Sequence, residues 1–269
     1  MTLRAEHDLA VSLARDAGAL QVRERRGLLG ATSDRITSKA HANDLVSDVD
    51  VASERLIVDG LLAAFPDDGV LGEEGGDVPG TSGRRWVVDP LDGTRNYLSG
   101  SGPWSVSVAL QVGPGRGDTG DLVVGVVHDP VTGETFSAVT DGGCRLDGAP
   151  VGASAAARLD ESLAGLSFQP SLAVKRRLGP VVADLLPVVG DIRRIPAALH
   201  LAYLASGRLD CGLLVGPKLY DVAAGLVLAR EAGVVLGGAF PGLVLAAAPE
   251  LWPEFSTCAA ARRLVDSEP

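Results

Sequence analysis

Apolar positions recur at helical spacing near the start of the chain, where Leu9, Leu13, Ala17 and Leu20 share one face and predict a helix over residues 5–25. That period then stops. "SDRITSKAHANDLVSDVD" (residues 33–50) is almost wholly polar and predicts a mobile excursion. Helical spacing returns in "DVASERLIVDGLLAAF" through Val51, Leu56, Ile57, Leu61 and Leu62, with Asp50 as the predicted N-cap. From residue 69 the runs shorten and become β-like: "GVLGEE", "RRWVVD", "WSVSVALQV", "LVVGVVHDP" and "ETFSAVT". Gly- and Asp-rich turns such as "GPGRGDTGD" and "VTGE" separate them, the pattern of a largely antiparallel sheet. Beyond "GAPVGAS", strand and helix patterns alternate from "SLAGLSF" to "LVLAAAP", which predicts layered α/β structure. The two patterns suggest an N-terminal α+β lobe over 1–150 and a C-terminal α/β lobe over 151–269, with a site between them.

Composition narrows the class. With 269 residues, 46% of them hydrophobic, the chain has material for one large core or two smaller ones. No run approaches the roughly 18 uninterrupted apolar residues of a membrane span. The opening "MTLRAEHDLAVSLARDAGALQVRERR" lacks the layout of a signal or transit peptide, so a soluble cytoplasmic protein without membrane contact is expected. Net charge is −10 and the arginine groups are scattered, so no nucleic-acid partner is expected. An anionic substrate would need a local attraction such as a bound metal. Cys144, Cys211 and Cys258 lack CxxC or metal spacing and read as small core residues.

The candidate chemistry starts in "RRWVVDPLDGT". A buried strand delivers Asp89 at its C-terminal end, Pro90 ends the ladder, and the turn returns Asp92 beside Asp89. Two ionised carboxylates so close repel each other unless a cation sits between them, and oxygen ligands suit Mg²⁺. Gly93 and Thr94 offer backbone N–H groups and a hydroxyl to an anion, with "TRNYL" opening a helical turn. Alone, the segment serves equally as an Asx-rich turn. Glu73 and Glu74 end another short strand, Asp44, Asp48 and Asp50 cluster with Lys39, and Asp221 occupies a predicted helix N-cap. Each has a plain structural explanation; four acidic groups at element ends point together to cation binding.

These segments carry a resemblance. "GEE", "WVVDPLDGTRNYLSGSGPWSVSVAL", "NDLVSDVDVASERLI" and "YDVAAGLVLAREAGVV" resemble, in order and spacing, the signatures of the inositol monophosphatase family of Mg²⁺-dependent, lithium-sensitive phosphatases. The resemblance implies a five-layered α-β-α-β-α sandwich, commonly a homodimer. It implies two or three Mg²⁺ per site: one on Glu73, Asp89 and the Leu91 carbonyl, and a second on Asp89, Asp92 and Asp221. A weaker third falls to the loop of Lys39 and Asp44. Asp50 would pair with Thr94 to orient and deprotonate the attacking water, Glu74 would act beside the ligands, and Gly93 and Thr94 would receive the phosphate. The implied reaction is hydrolysis of a small phosphate monoester by a metal-activated water, without a phosphoenzyme.

Departures from the family pattern concern the leaving group. Inositol-selective members carry a glutamate seven residues before the C-terminal aspartate, where this chain has Leu214. Ile195 and Pro196 stand where the family has Gly-Ser, and Ala197, Ala198, Lys218 and Asp221 are expected on the substrate side. Arg194, His200 and Lys218 fall near this rim, with His200 expected on a helix surface. An inositol-like polyol or sugar monophosphate is the first expectation; histidinol phosphate or a 3′,5′-bisphosphate nucleotide is the alternative within the enzyme class. A non-catalytic binding or regulatory member of the family is the alternative outside it.

Overall fold

Two sheets and three helical layers alternate through the protein, whose computed structural model describes residues 3–28, 36–38, 45–113, 121–238 and 242–265. The first half runs α1 (Arg4–Leu28), β1 (Ile36–Ser38), β2 (Leu45–Ser47), α2 (Asp48–Ala64), β3 (Gly69–Gly72), β4 (Gly76–Val78), β5 (Arg84–Asp92), α3 (Thr94–Ser99), β6 (Ser105–Val112), β7 (Asp121–Asp129), β8 (Glu134–Val139), β9 (Cys144–Leu146) and β10 (Ala149–Val151). The second runs β11 (Leu163–Phe168), α4 (Leu172–Leu185), β12 (Asp191–Arg194), α5 (Ala197–Ala205), β13 (Cys211–Val215), α6 (Leu219–Glu231), β14 (Val235–Gly237), β15 (Leu243–Ala247), α7 (Trp252–Phe255) and α8 (Ala259–Val265).

The larger sheet has the order β10-β9-β8-β7-β6-β5-β3-β4 and is antiparallel except where β3 runs parallel to β5. A smaller sheet, β12-β11-β13-β15-β14, is parallel across its first three strands and antiparallel beyond. The β-alternation decides the layers. On β5, Trp86 and Val88 face α1 and α2, packing with Ala14, Ile57 and Leu61. Val87, between them, faces the opposite way into a core shared with α5 and α6. That same core takes Leu214 and Val244 from the smaller sheet, so α5 and α6 are clamped between both sheets. On the far side, Cys211 and Leu213 pack against Val181 and Leu185 of α4 and Leu264 of α8. The order is therefore α-β-α-β-α, as the resemblance implies.

Cys144 and Cys211 are buried core members, and burial pushes each thiol up to about 12, so neither is a nucleophile at neutral pH. Cys258 is half-buried against the α4–α8 core. No helix among the described residues is long and apolar enough to cross a membrane.

Candidate active site

Strand β5 does not stop at Pro90 as the sequence predicts. Arg84 to Asp89 pair in register with β6, a bulge follows, and Asp92 then pairs with Ser105. On its other side β5 is paired with β3 only as far as Val88, so the missing proline N–H interrupts no ladder bond there. The bulge re-aims the side chains that leave the strand end. Glu73 is brought alongside because its backbone N–H donates to the Val88 carbonyl at 3.2 Å.

Four acids meet here. Asp89 is buried, accepts from the Leu91 N–H at 3.0 Å, and makes a side-chain hydrogen bond with Glu73. Burial holds its carboxyl well above the ordinary range, and the charges of Glu73, Asp92 and Asp221 push the same way. Asp92 is raised by burial and then by Asp221; the Ala198 N–H, donating to Oδ2 at 2.7 Å, and the charge of Arg194 offset this in part. Asp221 is pushed up to about 7 by burial, against the opposing effect of the Lys218 N–H at 2.7 Å and the Gln169 amide at 2.9 Å. Glu73, Asp92 and Asp221 line one open cleft of about 150 Å³ together with Gly93, Thr94 and Ala197.

Asp221 is the third residue of α6, not its N-cap. Lys218 occupies the cap, and its N–H is satisfied by the Asp221 carboxylate in a capping-box arrangement. Asp50 is likewise inside the first turn of α2, which begins at Asp48. It is buried and accepts from the Thr94 hydroxyl at 3.0 Å, while the Leu91 carbonyl lies 3.2 Å from the same hydroxyl. One hydroxyl proton is thus shared between two acceptors. Gly93 precedes α3 with φ 99°, and a Cβ there would meet the Pro196 ring at 2.9 Å, so both conformation and space require glycine. Lys39 and Asp44 lie outside the described residues.

Other expectations change. Glu74 does not line the cleft; its backbone N–H donates to Glu54 at 2.8 Å, and the Gly75 N–H donates to the same carboxylate at 2.5 Å. Glu54, a buried acid of α2 that the sequence reading missed, therefore holds the turn that presents Glu73. The only signal was the glycine on either side of "EE", since a Cβ on Gly72 would collide with the Glu54 carboxylate. Lys218 is exposed beyond the cleft, and Leu214 is part of its wall.

His200 is not on a helix surface. It is fully buried, with Nδ1 3.0 Å from the Ser167 hydroxyl, which itself donates to the Ile195 carbonyl. Its ring fills a slot made by Gly165 and Gly212, partners in register on β11 and β13; a Cβ on either would strike the imidazole. Burial lowers its pKa to about 3, so the ring is neutral. Nδ1 donates to Ser167 in the tautomer that satisfies both groups, and Nε2 has no partner.

Among the described residues no three acids already stand as a preformed cation cage. The carboxylates are turned instead toward backbone and amide donors, and their raised pKa values record desolvated like charges left incompletely balanced. Hard oxygen donors in that condition fit a divalent cation such as Mg²⁺.

Comparison with known proteins fixes the lineage. The profile of the Inositol monophosphatase family matches residues 4–266. The chain belongs to that family. It is 37% identical over 228 residues to a protein named Nus factor SuhB from Xylella fastidiosa, covering 84% of this chain and 79% of the relative. It is 38% identical over 227 residues to a protein named inositol-1-monophosphatase from Rhizobium meliloti, covering 82% and 78%. Among solved structures, the extragenic suppressor protein suhB of Bartonella henselae superposes with TM-score 0.85 at 29% identity, covering 98% of this chain and 100% of that one. Family members thus carry names of two kinds, one for a phosphatase and one for a Nus factor.

Proposed function

We propose that the protein hydrolyses a small phosphate monoester in a Mg²⁺-dependent reaction. The observation that carries this reading is the convergence of Glu73, from the turn after β3, Asp89 and Asp92 of β5, and Asp221 of α6, with Asp89 buried beside the three that line the cleft. Glu73, Asp89 and the Leu91 carbonyl would hold one cation, and Asp89, Asp92 and Asp221 a second, with Lys39 and Asp44 near a third. Bound cations supply positive charge to the attacking and departing oxygens. The chain does the rest. Thr94, hydrogen-bonded to Asp50, orients the water, and Asp50 takes its proton. The Gly93 and Thr94 N–H groups receive phosphate oxygens, while the Ala198 and Lys218 N–H groups hold Asp92 and Asp221 in orientation. As the water oxygen bonds to phosphorus, the ester P–O bond breaks, the leaving alkoxide takes a proton from a solvent water, and the proton on Asp50 returns to solvent. Lithium inhibition and homodimeric assembly accompany this reading.

A second reading, action by binding a partner without catalysis, is favoured by the name Nus factor among the relatives. Phosphate release decides between them, measured with Mg²⁺ and with EDTA on inositol 1-phosphate, histidinol phosphate, fructose 1,6-bisphosphate and adenosine 3′,5′-bisphosphate. Mg²⁺-dependent turnover of any one supports the hydrolase. No release from any, with Mg²⁺ binding confirmed by calorimetry, overturns it in favour of the binding role.

A further inference from the structure

Besides its acids, the cleft is lined by Ile195, Pro196, Leu214, Val215 and Pro217, all buried and apolar in side chain. The polar side chains nearby are already engaged. The Ser167 hydroxyl donates to the Ile195 carbonyl, the Gln169 amide donates to Asp221 at 2.9 Å, and the Asn96 amide donates to the Pro103 carbonyl at 2.8 Å. A polyol would bring several O–H donors to a wall with few acceptors, and each hydroxyl buried unpaired weakens binding.

Two arginines, Arg95 and Arg194, line the cleft. Arg194 closes β12, lines the cleft, and lays its guanidinium over the Phe168 ring with 4.6 Å from Cζ to the ring centre. Its backbone is tied down by the β11–β12 register Leu166 to Arg194 and by the Ile195 N–H donating to the Leu166 carbonyl at 3.2 Å. Neighbouring Arg193 is neutralised by Asp191, whereas Arg194 has no ion-pair partner among the described residues. A stacked guanidinium at the edge of a cleft, with its fork uncommitted, is suited to a planar or tetrahedral oxyanion.

We infer that the leaving group taken by this cleft carries a second oxyanion, a carboxylate or a second phosphate, met by Arg194 over Phe168, and has few hydroxyls. The inference rests on the phosphomonoesterase reading and names its substrate class. A leaving group bearing an ammonium, as in histidinol phosphate, would meet Arg194 as a like charge and is disfavoured.

The test compares phosphoglycolate (carboxylate), fructose 1,6-bisphosphate (second phosphate) and glycerol 2-phosphate (hydroxyls only) on the Mg²⁺-loaded protein. Steady-state kinetics is one readout, and ligand-induced thermal shift, which needs no turnover, is the other. At least one of the two anionic substrates should have the lower KM, and the one that does identifies the oxyanion. Arg194→Gln should raise that KM about five- to ten-fold and leave glycerol 2-phosphate within about two-fold. Arg194→Lys, which keeps charge but loses the fork, should fall between, and added salt should mimic Arg194→Gln. Equal effects of Arg194→Gln on all three ligands, or none, overturn the inference. If nothing is turned over but the anionic ligands still give the larger thermal shift, lost in Arg194→Gln, the hydrolase reading fails and the anion site stands. Absence of both turnover and ligand-induced shift sinks both.

Discussion

A group of acids gathers at each end of strand β5, and the two groups are balanced differently. At the first end Arg84 meets Asp68 and Glu6, each at 2.7 Å, tying α1 to the turn before β3. The Ser82 hydroxyl and the Trp86 indole N–H complete the coordination of Asp68 at 2.7 and 3.0 Å. Asp68 and then Glu6 hold the Arg84 guanidinium above its ordinary pKa despite partial burial. At the other end, Asp89, Asp92 and Asp221 have backbone and amide donors but no Lys or Arg within ion-pair distance among the described residues, and their carboxyls are raised. Burial is common to both. What differs is whether the chain supplies a positive charge within ion-pair distance.

The largest effect should come from removing a charge at the uncompensated end. Asp89→Asn keeps the shape and can still accept from the Leu91 N–H, so metal-free stability should be unchanged or higher. Mg²⁺-dependent phosphate release should fall at least about 10³-fold, a loss of about 4 kcal/mol in transition-state stabilisation. Retained activity would remove Asp89 from the chemistry. At the compensated end the outcome inverts. Arg84→Met strands two buried acids, and chemical denaturation should show a loss of about 3 kcal/mol, while activity per folded molecule stays near wild type. An unchanged unfolding midpoint would show that Arg84 does not hold that end together.

This contrast also explains what the sequence made legible. Period-two alternation identified the strands because one face of each meets a different helical layer, as Val87 does against Trp86 and Val88. The acid end was legible because its acids sit at element ends in short, glycine-marked motifs. Boundaries were less so: Asp50 and Asp221 look like caps, but each lies inside a first turn whose start is set by tertiary contacts. Glu54 escaped because an acid within a helix ordinarily faces water. His200 was misassigned because α5, packed between two sheets, has no polar face from which to orient it.

A smaller effect concerns protons at the uncompensated end. Carboxyls raised in the folded state keep protons that the unfolded chain releases near its ordinary pKa of 3.8. Without divalent cations, the stability this confers is present at low pH and is lost as pH rises toward and through about 7, where Asp221 titrates. Mg²⁺ binding has to displace those protons, so its stabilisation should grow with pH. At 100 times the dissociation constant it reaches about 2.7 kcal/mol. Melting curves in EDTA and in Mg²⁺ should separate more at pH 8 than at pH 6. Equal separation would mean that no proton is displaced and that the acids are already ionised.

His200 is a third treatment of a buried polar group, kept neutral, and its signature has the opposite sign. Its folded pKa of about 3 lies below the ordinary 6.5, so above pH 6.5 neither state binds the proton and the group costs nothing. Below that, the unfolded chain takes a proton the folded one refuses, and stability falls by about 1.4 kcal/mol at pH 5.5. His200→Phe keeps a flat ring between Gly165 and Gly212 and removes the titration. The difference in unfolding free energy between wild type and variant should therefore shift by about 1.4 kcal/mol between pH 7.5 and 5.5, a comparison in which the carboxylate contributions common to both proteins cancel. If that difference is flat across the range, the imidazole is reached by a proton in the folded state, and the slot between β11 and β13 is not closed to water.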